Sequence, residues 1–239
     1  MISIIIPSLN EEKYLPLLLA SIKDQKFFDY EIILADAGSK DKTLEIAKRY
    51  NCIITSGGLP AKGRNEGAKI AKGDVLFFLD SDVILSEGFL DKSLAEFEER
   101  NLDIASFCIK TYPTNRFLDH LLEYYYNRPM RFLEKVLPHA AMGILVKRDL
   151  YDELKGFDET IKIAEDMDFA RRANKIANFG IIKSVILYSS DRRLKTDGWF
   201  RTGIKFFLCE LYMIFIGPVR SDIFKYKFGH YKNKEGTKK

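Results

Sequence analysis

"DVLFFLDSDV", residues 74–83, runs from an uninterrupted apolar segment straight into two acids, and its reading decides the fold. The apolar part reads as a short strand buried on both faces, as in a parallel sheet. Residues two apart in a strand share a side, so a backbone that stays extended past Leu79 aims Asp80 and Asp82 the same way. Two like charges placed so repel unless a cation lies between them. Hard oxygen ligands suit magnesium or manganese, which take one or two carboxylates together with substrate phosphates and water. A lone D-x-D is a frequent accident of solvated loops. Its meaning therefore rests on its surroundings.

Upstream, "ISIII" (2–6) and "YEIILA" (30–35) repeat the buried-strand pattern, and "CIIT" (52–55) is a shorter version of it. Between them, "EEKYLPLLLASIKDQ" (11–25) carries apolar residues at helical spacing with Pro16 suited to a first turn. "SKDKTLEIAKRY" (39–50) has Ser39 or Asp41 near a helix start, and "AKGRNEGAKIAKG" (61–73) supplies a third helix. Strands alternating with helices mean a doubly wound α/β sheet with right-handed crossovers. Ligands of such sheets bind beyond the carboxyl ends of the strands. The polar and glycine-rich loops "PSLNEE", "DAGSKD", "GGLPAKGRN" and "DSD" all fall on that edge, while the opposite edge holds connectors such as "DQKFFDY" and "AKGD". A nucleotide site is the reading that accounts for the asymmetry.

The rhythm changes beyond residue 110. "NRFLDHLLEYYYNRPMRFLEKVLPH" (115–139) is aromatic, basic and helical, broken at Pro129. "AAMGILVKRDLYDELKGFDE" (140–159) reads as strand, helix and turn, and "KIAEDMDFARRANKIANFG" (162–180) as a helix with acids at its start. The helix dipole favours negative charge there. Capping accounts for one of Glu165, Asp166 and Asp168, and three exceed what one cap needs.

The 239 residues are 46% hydrophobic and 30% charged, ordinary for a globular protein able to bury a large core. Cys52, Cys108 and Cys209 lie in apolar segments without C-x-x-C spacing, which reads as buried thiols in a reducing compartment. The start "MISIIIPSLNEE" lacks a basic n-region, so a cytoplasmic location is expected. Seven Lys/Arg face only Asp222 and Glu235 in residues 220–239, which puts +5 of the net +4 in this tail and leaves the rest at −1. A near-neutral body argues against nucleic acid as a partner.

Taken together, "ISIIIPSLNEEKYL", "ILADAGSKDKTLEIA", "GRNEGAKIAKGDVLFFLDSDV", "KGFDE" and "EDMDFARRA" resemble the family 2 glycosyltransferases of the GT-A fold. The resemblance implies transfer of a sugar from a nucleotide-sugar donor, with inversion at the anomeric carbon and with Mn2+ or Mg2+ as cofactor. It assigns Pro7, Ser8 and Glu11 to the nucleoside pocket, Asp36 to the base, and Arg64 to the vicinity of base and diphosphate. Asp80 falls to the ribose or a metal-bound water, and Asp82 to the metal itself. Asp166 becomes the general base, with Glu165 beside it, and Arg192 and Arg193 in "DRRLKTDGWFRT" bind phosphate. Leu9 stands where many members carry an aromatic residue, and the Q-x-x-R-W pattern of processive synthases is absent.

The resulting division is a donor-binding half at 1–110, an acceptor-binding half of the same GT-A domain at 111–198, and an extension at 199–239. In that extension "WFRTGIKFFLCELYMIFIG" is too interrupted to span a membrane. It reads as a helix lying on a membrane, forming a homodimer contact or completing the core. The tail interleaves Phe224, Tyr226, Phe228 and Tyr231 with cations, suited to an anionic membrane surface and hence to a lipid-linked acceptor. The alternatives are a sugar nucleotidyltransferase and a non-catalytic nucleotide-sugar-binding protein.

Overall fold

In the computed structural model, which describes residues 1–224, the apolar runs become the strands of one eight-stranded sheet. β1 (Ile2–Ser8) is flanked in parallel by β2 (Tyr30–Asp36) and β4 (Val75–Leu79), and β3 (Ile53–Ser56) lies beyond β2. The short strand β5 (Val83–Leu85) leaves this group for the far edge of the sheet. β6 (Ile104–Tyr112), β7 (Gly143–Lys147) and β8 (Phe179–Ser190) complete the order β3-β2-β1-β4-β7-β6-β8-β5. β7 runs antiparallel to both β4 and β6, β8 is parallel to β6, and β5 is antiparallel to β8. The sheet is thus mixed but mostly parallel, and the carboxyl ends of β1, β2, β3, β4, β6 and β8 share one edge.

Helices cover both faces, as continuous apolar strands require. α1 (Leu15–Lys23), α2 (Thr43–Arg49) and α4 (Phe89–Glu99) pack on one side around Ile4, Ile6, Phe77 and Phe107. α3 (Pro60–Ile70), α7 (Arg148–Glu153) and α8 (Glu165–Asn174) pack on the other around Ile5, Phe78, Ile144 and Ile181. α3 lies flush on β1: a Cβ at Gly67 would sit 2.4 Å from Ile5 Cγ2, so only glycine permits this approach. That contact carries Arg64 to the strand ends.

The aromatic stretch forms α5 (Arg116–Leu122), a π-helical turn (Glu123–Asn127) and α6 (Arg128–Leu133), with Pro129 in the first turn of α6. α9 (Arg192–Asp197) and α10 (Trp199–Phe215) follow β8. Cys209 and Met213 of α10 join Val219 in a small cluster with Ile163, Ala164 and Met167. The C-terminal segment therefore packs on the loop that leads into α8. The halves expected at 1–110 and 111–198 contribute strands to one sheet. The basic tail from residue 225 onward lies outside the described residues.

Two expectations are corrected. The backbone does not stay extended through Asp80–Asp82 but turns there, with Asp80 N donating to Met142 O at 3.0 Å and Ser190 N donating to Asp82 O at 3.0 Å. The helix expected through residue 180 ends at Asn174, and the chain from Phe179 becomes β8, the longest strand.

Candidate functional site

Five segments meet where the sheet edge receives the turn 80–82. The turn separates its two carboxylates: each faces its own arginine. Asp80 Oδ1 accepts from Arg64 Nη2 at 2.8 Å, and Arg64 Nη1 also bonds Glu165 at the start of α8. Arg64 is only 4% exposed and lies over the Phe157 ring, 5.3 Å from its centroid. Asp82 Oδ2 pairs with Arg192 Nε at 3.0 Å, while Arg192 Nη1 and Nη2 each donate to Glu11 at 2.7 Å. This second guanidinium lies over Tyr14, 4.8 Å from the ring centroid. Ser190 bonds the turn from the end of β8, and this is what brings Arg192 to Asp82 two residues later.

The acids of α8 divide their tasks. Glu165 serves Arg64, and Asp168 takes Arg172 Nε at 2.8 Å one turn on. Asp166 Oδ1 accepts from the adjacent Met167 N at 2.8 Å. Burial, then the neighbouring Glu165 charge, pushes the Asp166 carboxyl up to about 8, against the pull of Arg64. The residue before α8, Ala164, is left-handed at φ 62°, and Met142 at the entry to β7 has φ 61°. Such conformations cost a non-glycine residue about 1 to 3 kcal/mol each and tend to mark functional sites.

The other expected residues are placed as follows. Pro7 and Ser8 end β1 at this edge, and the Ser8 hydroxyl is buried without a hydrogen-bond partner among the described residues. Burial raises the Glu11 and Asp82 carboxyls while Arg192 lowers both. Arg193 is half-buried, and its charge also acts on Asp82. Asp36 is engaged by its own loop, accepting from Gly38 N and Ser39 N at 2.9 Å and from the Ser39 hydroxyl. A base would have to share it with that turn.

Sequence reasoning missed the groups packed behind Asp166. The Tyr126 hydroxyl is buried without a hydrogen-bond partner among the described residues, and burial followed by the Asp166 charge raises it. His139 packs edge-on against Tyr126, and burial holds it neutral by lowering it to about 4. Glu210 of α10 pairs with Arg171 of α8. Tyr126 and His139 carried no signal beyond composition, because a tyrosine in a helix ordinarily reads as core.

No group of three or more His, Cys, Asp or Glu residues that could hold a metal occurs among the described residues. Asp80 and Asp82 nevertheless fit a hard cation. They are two carboxylates on one turn, the Asp80 charge raising Asp82, and the substrate's phosphates and water would supply the remaining ligands.

The profile of Glycosyl transferase family 2 matches residues 3–154, well over half of the chain. The chain belongs to this family. It is 27% identical over 208 residues to the poly(ribitol-phosphate) beta-N-acetylglucosaminyltransferase TarS of Staphylococcus aureus, covering 80% of this chain and 35% of TarS. The chain thus spans about a third of that relative's length. A crystal structure of TarS residues 1–349 with UDP-GlcNAc aligns over 88% of this chain and 66% of that one, with TM-score 0.65 and 23% identity. The mannosyltransferase PcManGT of Pyrobaculum calidifontis, in complex with GDP-Man and Mn2+, aligns over 89% of this chain and 63% of its own, with TM-score 0.71 and 17% identity. These alignments establish the GT-A fold for the family 2 chain.

Proposed function

We propose that the protein is an inverting glycosyltransferase that moves a sugar from a nucleoside-diphosphate donor to an acceptor hydroxyl, with Asp166 as general base. The observation that carries this reading is the Asp166 carboxyl, half-buried at the start of α8 and pushed up to about 8, beside the Arg64–Asp80–Glu165 network. A base works best when its pKa lies near the working pH, and positioned proton transfer contributes about 10²- to 10⁴-fold. Glu165, locked to Arg64, keeps that network's geometry and adds the negative charge that tunes Asp166.

Pro7, Ser8, Glu11 and Asp36 line the nucleoside side of the pocket, with Arg64 at the inner end toward the diphosphate. Arg192 and Arg193 face the departing phosphates, aimed in advance at charge that grows in the transition state. Asp80 and Asp82 would hold Mn2+ or Mg2+, which when bound supplies Lewis-acid stabilisation of the leaving diphosphate. Inversion needs a single base and no covalent intermediate. Family membership favours transfer over nucleotidyl transfer. The bound donors of the structural neighbours, UDP-GlcNAc in TarS and GDP-Man in PcManGT, support a nucleotide-sugar site. The test is a thermal-shift screen of UDP- and GDP-sugars with Mn2+. A donor at a hundred times its Kd should add about 2.7 kcal/mol, and a stabilising donor should then be turned over with inverted anomeric configuration. Binding without turnover would favour the non-catalytic reading.

A membrane-proximal acceptor has its own support. α10 buries Thr202, Cys209 and Met213, yet Phe200, Ile204, Phe207, Leu208 and Phe215 are exposed. No described helix is long and apolar enough to cross a membrane. An exposed apolar helix face of this kind suits the membrane interface. With the cations of residues 220–239 supplying the attraction to anionic lipid, wild type should sediment with anionic but not neutral liposomes and release at high salt. A dimer contact through the same face would instead appear as a doubled mass in solution.

A further inference from the structure

We infer that Arg192 is the internal counter-cation of Asp82, and that it makes metal uptake at the Asp80–Asp82 turn conditional on a bound diphosphate. This rests on the donor-site reading above. The geometry is specific: Arg192 Nε lies 3.0 Å from Asp82 Oδ2, and its two terminal nitrogens each lie 2.7 Å from Glu11 oxygens. The residue assigned to the phosphates is therefore seated on the carboxylate assigned to the metal.

Buried carboxylates need a paired charge. Glu11 is 7% exposed and Arg192 pairs with both it and Asp82, while the Arg193 charge also acts on Asp82. A divalent ion approaching Asp82 meets that positive charge at contact distance and must compete with it. A diphosphate removes the competition by offering Arg192 another anion. The guanidinium is a rigid planar fork of five donors, so it leaves Asp82 for a phosphate oxygen by pivoting as a whole.

The local fold permits this exchange. α9 is six residues long, contains no buried residue, and ends at Gly198 with φ 84°. A shift of the helix disturbs little packing. Arg64 has no such freedom, since it is buried beneath α8 against Phe157. Diphosphate and metal must then strengthen each other's binding by one common factor, because coupling between two sites is reciprocal.

Free-ion EPR titrations of Mn2+ test this, run without nucleotide and with saturating UDP or GDP. In wild type, nucleotide should tighten Mn2+ binding by roughly 5- to 150-fold, the usual range of such coupling. Arg192→Gln should bind Mn2+ alone several-fold more tightly than wild type and gain less from nucleotide. Arg192→Lys, which keeps the charge, should stay close to wild type with Mn2+ alone. The gain must vanish in Arg192→Gln/Asp82→Asn. If wild type binds Mn2+ and nucleotide together but Arg192→Gln changes neither the Mn2+ affinity nor the coupling, this inference alone is overturned. If wild type binds neither UDP nor GDP in the presence of Mn2+, the donor-site reading falls and the inference falls with it.

Discussion

Arg64 and Arg192 each hold two carboxylates at the same sheet edge, but the chain holds the two arginines in different ways. Arg64 sits on an eleven-residue helix pressed onto β1 through glycine, with its guanidinium covered by α8 and Phe157. Arg192 begins a six-residue helix with nothing buried, stacked on Tyr14 at the rim. The first cluster is fixed by packing and includes the neighbourhood of the proposed base. The second is held mainly by charge, and it adjoins the proposed phosphate and metal positions. A transferase gains from this division. The base must be aimed before reaction, whereas the donor's charges arrive and leave in every cycle.

The largest expected effect lies in the fixed half. Asp166→Asn should leave donor affinity nearly unchanged and lower turnover by about two to four decades, measured as kcat with saturating donor and acceptor. Unchanged turnover would remove Asp166 from the chemistry and leave the strained entry at Ala164 without a functional account.

Arg64 should dominate stability. Replacing it by Gln leaves Asp80, Glu165 and Asp166 facing one another without the buried cation, and breaking one partner of a buried ion network costs about 3 to 5 kcal/mol. Urea unfolding measures this, and Arg64→Gln/Glu165→Gln should recover part of the loss because the two residues share one interaction. A loss below about 1 kcal/mol would mean that water reaches the cluster and that it is not a rigid half at all.

Much of this contrast was legible in the sequence, though not all of it. β1, β2, β4 and the helices between them are visible because their strands are short apolar runs and the charged loops fall on one edge. Asp80, Asp82, Glu165 and Asp166 stand out as charges placed where a core segment ends or a helix begins, whereas Arg64, inside α3, is singled out only by the family resemblance. β8 does not stand out. "FGIIKSVILYSS" is interrupted by Lys183 and Ser184, both exposed, next to a register shift against Phe107 and Cys108 of β6. It is therefore neither alternating nor continuous. The pairing of Glu11 with Arg192 is hidden for another reason: the two are 181 residues apart, and only the arrival of β8 beside the turn brings them together.

A smaller effect sharpens the picture of the fixed half. The native Asp166 carboxyl is pushed up to about 8, whereas an unfolded aspartate titrates near its ordinary value of 3.8. Between these values the folded protein binds more protons than the unfolded one. The stability associated with this group is therefore complete below about pH 4 and is lost as pH rises toward 8, by at most about 1.4 kcal/mol per pH unit. Asn imitates the protonated carboxyl, so Asp166→Asn should match wild type in Tm at pH 4 to 5 and exceed it increasingly toward pH 8. A variant less stable than wild type at every pH would show that the carboxylate is structural.

Arg192 should give the smallest change in stability, and the reason lies in what surrounds it. Its side chain is 15% exposed, and no residue of α9 is buried, so Gln at this position lets water reach Glu11 and Asp82 instead of trapping them dry. Exposed or readily hydrated ion pairs contribute about 1 kcal/mol or less. Both carboxyls are already raised by burial in spite of Arg192, and removing the arginine raises them further. A carboxyl raised in the folded state contributes stability at low pH that is lost as pH rises. The cost of Arg192→Gln should therefore be negligible near pH 4 and grow to its full value by neutral pH. Urea unfolding of wild type and variant across pH 4 to 8 reads both the size and the slope. A cost equal to that of Arg64→Gln would mean that α9 is as firmly packed as α3, and the distinction between a fixed and an exchangeable half of the site would be lost.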